Sequence, residues 1–128
     1  MDAGIKSIRA AGVAIGLLFF LMSSGCVAPG EGKKAKLGRE EGDRIVEALA
    51  NYHAKYGGYP DQLEALVPDF LKAVPVMDHN NAEQVQFFYI KTSDGQYRLI
   101  FKYIGPGTNE CNHYPSYPDG SWKCVGAY

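Results

Sequence analysis

Apolar residues recur at Ile45, Leu49, Tyr52 and Tyr56, spaced four, three and four, which is the repeat of one helical face. The stretch from about Leu37 to Tyr56 is therefore expected to be helical. Glu40, Glu41 and Asp43 near its start, with His53 and Lys55 near its end, suit the helix macrodipole. Gly42 weakens the early turns by about 1 kcal/mol relative to Ala, which leaves 43–56 as the firm part. Gly57-Gly58 ends the run, because glycine takes the left-handed position after a helix without steric cost. After Tyr59-Pro60, Asp61 followed by Glu64 makes a capping-box pattern for a second, shorter helix with Leu63, Leu66 and Val67 on its apolar side. Pro68 interrupts it, and Phe70, Leu71 and Val74 suggest one more turn before Pro75.

The period then changes to two. Val85 to Lys91 and Gln96 to Ile104 are rich in aromatic and branched residues and read as strands. In the second, Tyr97, Leu99, Phe101 and Tyr103 share one face, and Arg98, Ile100 and Lys102 share the other. Asp94-Gly95 between the two marks a hairpin. A third short strand near Trp122 to Val125 would complete an antiparallel sheet. The expected fold is α+β, with one long N-terminal helix packed on a small three- or four-stranded antiparallel sheet.

Ahead of this pattern lies an apolar run, Ala10 to Met22, behind Lys6 and Arg9. Thirteen residues in a helix span roughly 20 Å, less than the ~30 Å hydrocarbon core, so the run suits a secretory signal better than a permanent membrane span. It closes on Ser23-Ser24-Gly25-Cys26. That ending resembles the signal of bacterial lipoproteins, in which small residues precede the lipid-modified Cys. Gly25 and Ser24 match, whereas Ser23 stands where Leu is usual. The resemblance implies cleavage before Cys26, a diacylglycerol thioether on that residue, and a membrane anchor of several acyl chains. Val27, where an Asp would retain a lipoprotein at the inner membrane, implies the periplasmic face of the outer membrane. An ordinary cleaved signal with Cys26 as a chance thiol, or an uncleaved anchor, are the alternatives. The layout is then a signal peptide at 1–25, a polar tether at 26–36 (Val27 to Lys36 reads VAPGEGKKAK) and a globular domain at 37–128.

Length and charge narrow the picture. A chain of 128 residues supports one domain. Its formal net charge is −1, and from Cys26 onwards 11 Lys+Arg stand against 13 Asp+Glu, which offers no basic face for nucleic acid. Nine Tyr, six Phe and one Trp supply enough apolar surface for a folded core. Of three cysteines, setting Cys26 aside leaves Cys111 and Cys124, a pairable number in an oxidising compartment. A disulfide between them would close a loop of about fourteen residues and stabilise the fold by roughly 3 kcal/mol. Two thiols with His113 are the rival, a metal site, which oxidation disfavours. Within that loop Tyr114, Tyr117 and Trp122 alternate with Pro115, Pro118 and Gly120. Rigid aromatics on a stapled loop suit a protein or glycan contact surface; the plainer reading is a cap over the sheet edge, which every small domain needs. Asn109, Glu110 and Asp119 offer oxygen ligands for calcium, without the spacing of a regular calcium loop.

Catalytic patterns are missing. His53, His79 and His113 are scattered, and no His-Glu-x-x-His, paired catalytic carboxylates, Ser-His-Asp order or phosphate-binding glycine loop can be assembled. A non-enzymatic protein without a cofactor is expected.

Ile45-x-x-Ala48-Leu49-x-x-Tyr52, Tyr56-Gly57-Gly58-Tyr59-Pro60, Leu63-x-x-Leu66, Val74-Pro75, Phe88-Tyr89 and Tyr97-Arg98-Leu99 together resemble the globular part of the type II secretion major pseudopilins, over about residues 43–104. The resemblance implies a pilin-like head that contacts other proteins, in a secretion or pilus apparatus. Two departures matter. Neither Gly12 nor Gly16 opens a prepilin-peptidase site, and a Cys-closed loop stands where that family keeps its calcium-binding aspartates, as in pilins with a terminal disulfide. The implied function is that of a lipid-tethered, pilin-like interaction module. A filament subunit retaining its apolar N-terminal helix and a small ligand-binding domain built on the aromatic loop are the alternatives.

Overall fold

A computed structural model describes residues 27–75, 85–105 and 107–127. The apolar run at 10–22 and Cys26 lie outside them. One helix, α1 (Gly32–Tyr56), lies across a four-stranded antiparallel meander of β1 (Gln86–Lys91), β2 (Tyr97–Gly105), β3 (Gly107–His113) and β4 (Lys123–Ala127), in the order β1-β2-β3-β4. The α+β architecture expected from the sequence is thus present.

The helix is longer than its pattern suggested. Residues 32–36, read as the end of a tether, are its first turn, and Ala35 within them is fully buried. Packing supplies what propensity lacks: Ala35, Gly38, Gly42, Ile45, Ala48 and Leu49 form one continuous buried stripe. The glycines let the helix come close to the sheet. A Cβ on Gly38 would lie 2.6 Å from the Phe101 ring, and one on Gly42 would overlap the Trp122 indole. Neither approach is sterically allowed, so these positions that weaken an isolated helix set the helix–sheet spacing here.

Upstream of α1 the chain is pinned. The Gly30 N–H donates to the Tyr103 hydroxyl at 2.8 Å, and Arg39 donates to the Gly30 carbonyl. Gly30 has φ of +87°, Glu31 is extended, and Gly32 again has φ of +87°. With Pro29, these conformations interrupt the backbone, so α1 is a separate helix that starts here. At its other end, Gly57 adopts φ of +77° and its N–H donates to the His53 carbonyl at 2.8 Å, the helix stop expected there.

The second helix is shorter than expected. Leu63–Leu66 is a single 3-10 turn without a side-chain cap. Asp61 instead forms an ion pair with Lys91 on β1 at 2.9 Å, so the capping-box pattern is used for a tertiary contact. Leu63 and Leu66 are buried with Ile45, Leu49, Tyr97 and Leu99, and the Tyr89 hydroxyl donates to the Pro60 carbonyl at 2.6 Å.

β2 holds the centre. Tyr97, Leu99, Phe101 and Tyr103, grouped on one face by their alternation, are all buried against α1. β3 escaped the sequence reading because GTNECNH has little β-propensity. Its pairing with β2 runs from Leu99↔His113 to Gly105↔Gly107, and it buries Asn109, Cys111 and His113 on the helix side.

Because the Gly42 site has no room for a methyl group, Gly42→Ala should destabilise the domain by about 1–3 kcal/mol. The same change at a solvent-facing helix position would stabilise by up to about 1 kcal/mol. Thermal unfolding followed by circular dichroism reads the sign directly.

Candidate interaction surface and the disulfide strap

Cys111 and Cys124 are register partners on β3 and β4, with a Cα–Cα distance of 4.0 Å and an S–S bond of 2.01 Å. The expected disulfide is present, but it crosslinks two paired strands and does not close an irregular loop by itself. Cys111 is fully buried. A Cβ on Gly30 would sit 2.8 Å from both Cβ and Sγ of Cys124, so the segment before α1 packs directly on the bridge.

Between the strands, residues 114–122 form a strap over one end of the sheet. The Tyr117 N–H donates to the Tyr114 carbonyl at 3.1 Å, and the Gly120 N–H to the Tyr117 carbonyl at 3.3 Å. Trp122 belongs to the interior side of this strap. Its ring lies 4.9 Å from Phe101 and 5.3 Å from His113, and its Nε1 donates to Asp43 Oδ1 at 2.8 Å, 79 residues away in the chain. It therefore locks the strap to α1. Of the three aromatics proposed for partner contact, Trp122 has a structural post.

Tyr114 and Tyr117 take a different position. Their rings meet edge to face at 5.0 Å. The Arg98 guanidinium sits 6.0 Å from the Tyr114 ring, and the Lys123 ammonium 6.0 Å from the Tyr117 ring, within cation–π range. Arg98 belongs to the sheet face turned away from α1. There its Nε donates to Asn112 Oδ1 at 2.7 Å and its Nη2 to Glu110 Oε1 at 3.0 Å. Lys102 reaches Glu110 Oε2 at 3.3 Å and lies 5.3 Å from the Phe88 ring. Burial alone would raise the Glu110 carboxyl, but hydrogen bonds from Asn112 and Lys102 and the charges of Lys102 and Arg98 hold it below the usual carboxylate range. This network fixes the two cations beside Phe88, Ile90 and the tyrosine pair. Tyr, Phe and Arg held rigid on an open face form the composition favoured at protein contacts.

Sequence alternation had placed Arg98, Ile100 and Lys102 on one face, yet Glu110 and Asn112, which organise them, were hidden in the unrecognised β3. Ile100 on this face is buried nonetheless, between its register partners Phe88 and Asn112.

The possible calcium ligands do not converge. Asn109 and Glu110 are neighbours on one strand and face opposite sides, with Asn109 turned to Gly107 and Gly126, while Asp119 sits in the strap at φ of +71°. Among the described residues no cluster of His, Cys, Asp and Glu could hold a metal ion. A cleft of about 380 Å³ between α1 and the 70–75 turn is lined by residues that include Arg44, Glu47, Asn51, Phe70, Leu71 and Lys72. The His53 ring lies 4.5 Å from that of Tyr59, tilted by 37°, and His79 lies outside the described residues.

His113 is the buried titratable group of this region, 3% exposed. Its Nδ1 shares a 3.1 Å hydrogen bond with the Tyr97 hydroxyl, and Nε2 has no partner among the described residues. Burial pulls its pKa below the usual 6.5, against the opposing pull of the Asp43 carboxylate and the Gly120 carbonyl. Tyr97 is raised by burial and by neighbouring Tyr59 and Tyr89. Tyr89 is pushed up to about 12, by burial first and then by Asp61. Both phenols stay protonated, that of Tyr89 donating to the Pro60 carbonyl.

Comparison with known protein families, with characterised proteins and with solved structures finds no match to this chain.

Reducing Cys111–Cys124 restores freedom to a 13-residue separation, and should lower stability by roughly 3 kcal/mol; urea midpoints with and without reductant measure this. Since the folded state holds His113 neutral below its usual pKa, the unfolded chain binds the proton first. Stability should be full above the usual 6.5, fall as the pH drops below it, and stop falling once the folded group is also protonated. His113→Phe should flatten that slope in a pH series of unfolding midpoints.

Proposed function

We propose that the protein is a non-enzymatic lipoprotein of the bacterial cell envelope, tethered through Cys26 to the periplasmic face of the outer membrane. Its α+β domain, a pilin-like head, offers a protein-binding surface to components of a secretion or pilus system. The observation that carries this reading is the break in the chain at Pro29-Gly30-Glu31-Gly32, which separates α1 from whatever precedes it. A fibre subunit needs an apolar stalk continuous with its head helix. A lipoprotein needs only a short link to its modified cysteine.

Two further observations agree. Ser24-Gly25-Cys26 follows an apolar run of signal length. The bridge between Cys111 and Cys124 suits an oxidising compartment. The binding surface is the sheet face away from α1, with Tyr114, Tyr117, Arg98 and Phe88 as its anchors.

Mass spectrometry of the membrane fraction should find the chain beginning at Cys26 with a diacylglyceryl adduct. An unmodified Cys26, or an intact Met1 recovered in filaments, would overturn the anchor. A photo-crosslinking residue at Tyr117 in whole cells should capture a discrete protein adduct that Arg98→Ala weakens; no adduct at that position would remove the binding role.

A further inference from the structure

Paired residues of an antiparallel sheet share a face, so the registers fix what the side away from α1 displays. Lys102, Glu110 and Val125 stand in one cross-strand row, Phe88, Asn112 and Lys123 in the next, and Ile90 and Arg98 in the one after. Phe88 is 38% exposed, Ile90 49% and Val125 63%. Open apolar side chains thus lie on both edge strands, and the charged ones lie between them.

Hydrogen-bond accounting across that middle is lopsided. Among the described strand residues of this face Glu110 is the only carboxylate, and both its oxygens are engaged. Oε1 accepts from Arg98 and Asn112, and Oε2 lies 3.3 Å from the Lys102 ammonium. Asn112 Oδ1 is taken by Arg98 Nε. The cations are not used up in return, because a guanidinium and an ammonium carry more N–H groups than these bonds occupy. Lys123 is exposed beside the Tyr117 ring and makes no ion pair among the described residues. Nearby acids do not correct the balance: Asp94 is held by Thr92 and Gln96 within its own turn, and Asp119, exposed on the strap, pairs with neither Arg98 nor Lys123. The face keeps cationic donors that its own acceptors leave unmatched.

The same face of a second copy is a poor occupant. Four strands of this length make a patch about 20 Å on each side. Two such patches would bury only about 800 Å² together, below the ~1,200 Å² of a stable interface, with cation opposed to cation. We infer that the face takes an acidic polypeptide segment, its carboxylates settling on Arg98, Lys102 and Lys123 and its apolar side chains on Phe88, Ile90 and Val125. Glu110 and Asn112 hold the cations at set positions, which a polypeptide's carboxylates can match and which fluid lipid headgroups do not need. The inference rests on the protein-binding role proposed for this face and names the chemistry of its partner.

The test uses the full processed chain in neutral detergent and two labelled synthetic peptides, one alternating Glu with Phe and Leu, the other carrying Gln in place of every Glu. By fluorescence anisotropy the Glu peptide should bind saturably, and the Gln peptide about tenfold more weakly or worse. High salt, or Lys102→Gln with Lys123→Gln, should weaken the Glu peptide several-fold. Lys123→Glu should weaken it further and strengthen binding of a Lys-for-Glu version. Arg98 is left in place, since its loss would strand Glu110 and Asn112. Equal binding of the Glu and Gln peptides, binding that the lysine variants leave unchanged, or no binding of either overturns the acidic partner. So does protection of Lys102 and Lys123 from an amine reagent by phosphatidylglycerol vesicles but not by the Glu peptide, which assigns the face to lipid. The adduct trapped at Tyr117 in whole cells then separates the two claims. An adduct with a partner segment in which Lys and Arg outnumber Asp and Glu overturns the acidic chemistry and leaves the protein-binding role standing; failure of the peptides together with absence of any adduct takes both down.

Discussion

Trp122 stands where three separate parts of the molecule have to agree. Its ring occupies the space left by the missing side chain of Gly42, packs on Phe101 and His113, and carries the hydrogen bond to Asp43. Remove the space at Gly42 and α1 has to rise from the sheet; remove the ring and the strap between β3 and β4 loses its hold on the helix. Close approach at Gly38 over Phe101 repeats the same principle one turn earlier. Two residues that cost an isolated helix stability thus determine how tightly this one seats, because packing density and not propensity dominates once a face is buried.

From that contact the two faces of the sheet diverge in character. The helix side is aromatic and dry, running from Tyr59 and Tyr97 through His113 and Trp122 to Phe101 and Phe87. The far side is a lattice of Arg98, Lys102, Glu110 and Asn112 with tyrosines at its margin. The disulfide ties β3 to β4 beneath both, and Gly30 presses on it from the start of the chain's described part. Stiffness on one side allows the other to hold polar side chains in fixed geometry, which is what recognition without a cavity requires.

Much of this was legible before the structure. The four-three-four spacing located Ile45 and Leu49 of the buried stripe of α1, with Tyr52 half-buried and Tyr56 exposed, and the alternation in Tyr97–Tyr103 identified the central strand and grouped the residues of its buried face. The Gly57 stop and the cysteine pair also came through. What stayed hidden was tertiary in origin. The first turns of α1 are held by burial of Ala35 and Gly38, which carry no helical signal. β3 is made of Gly, Thr, Asn, Glu, Cys and His, residues that become a strand because β2 and β4 pair with it on either side. Asp61 looked like a cap and is a surface ion-pair partner. Trp122, grouped with Tyr114 and Tyr117 by proximity in the sequence, faces α1 because its indole N–H finds Asp43, a partner that no local pattern could point to.

The meeting of Pro29 with Gly126 brings the first and last described strands of backbone side by side at one pole of the domain. The tight turn at Thr92–Gln96, closed by the Gly95 N–H to the Thr92 carbonyl, lies at the other pole. A reporter or affinity handle fused after residue 127 would crowd the very pole that carries the link to residue 26. Grafted into the 93–95 turn, the same handle would project clear of that pole, so the path of the backbone itself dictates where the molecule can be labelled without crowding that link.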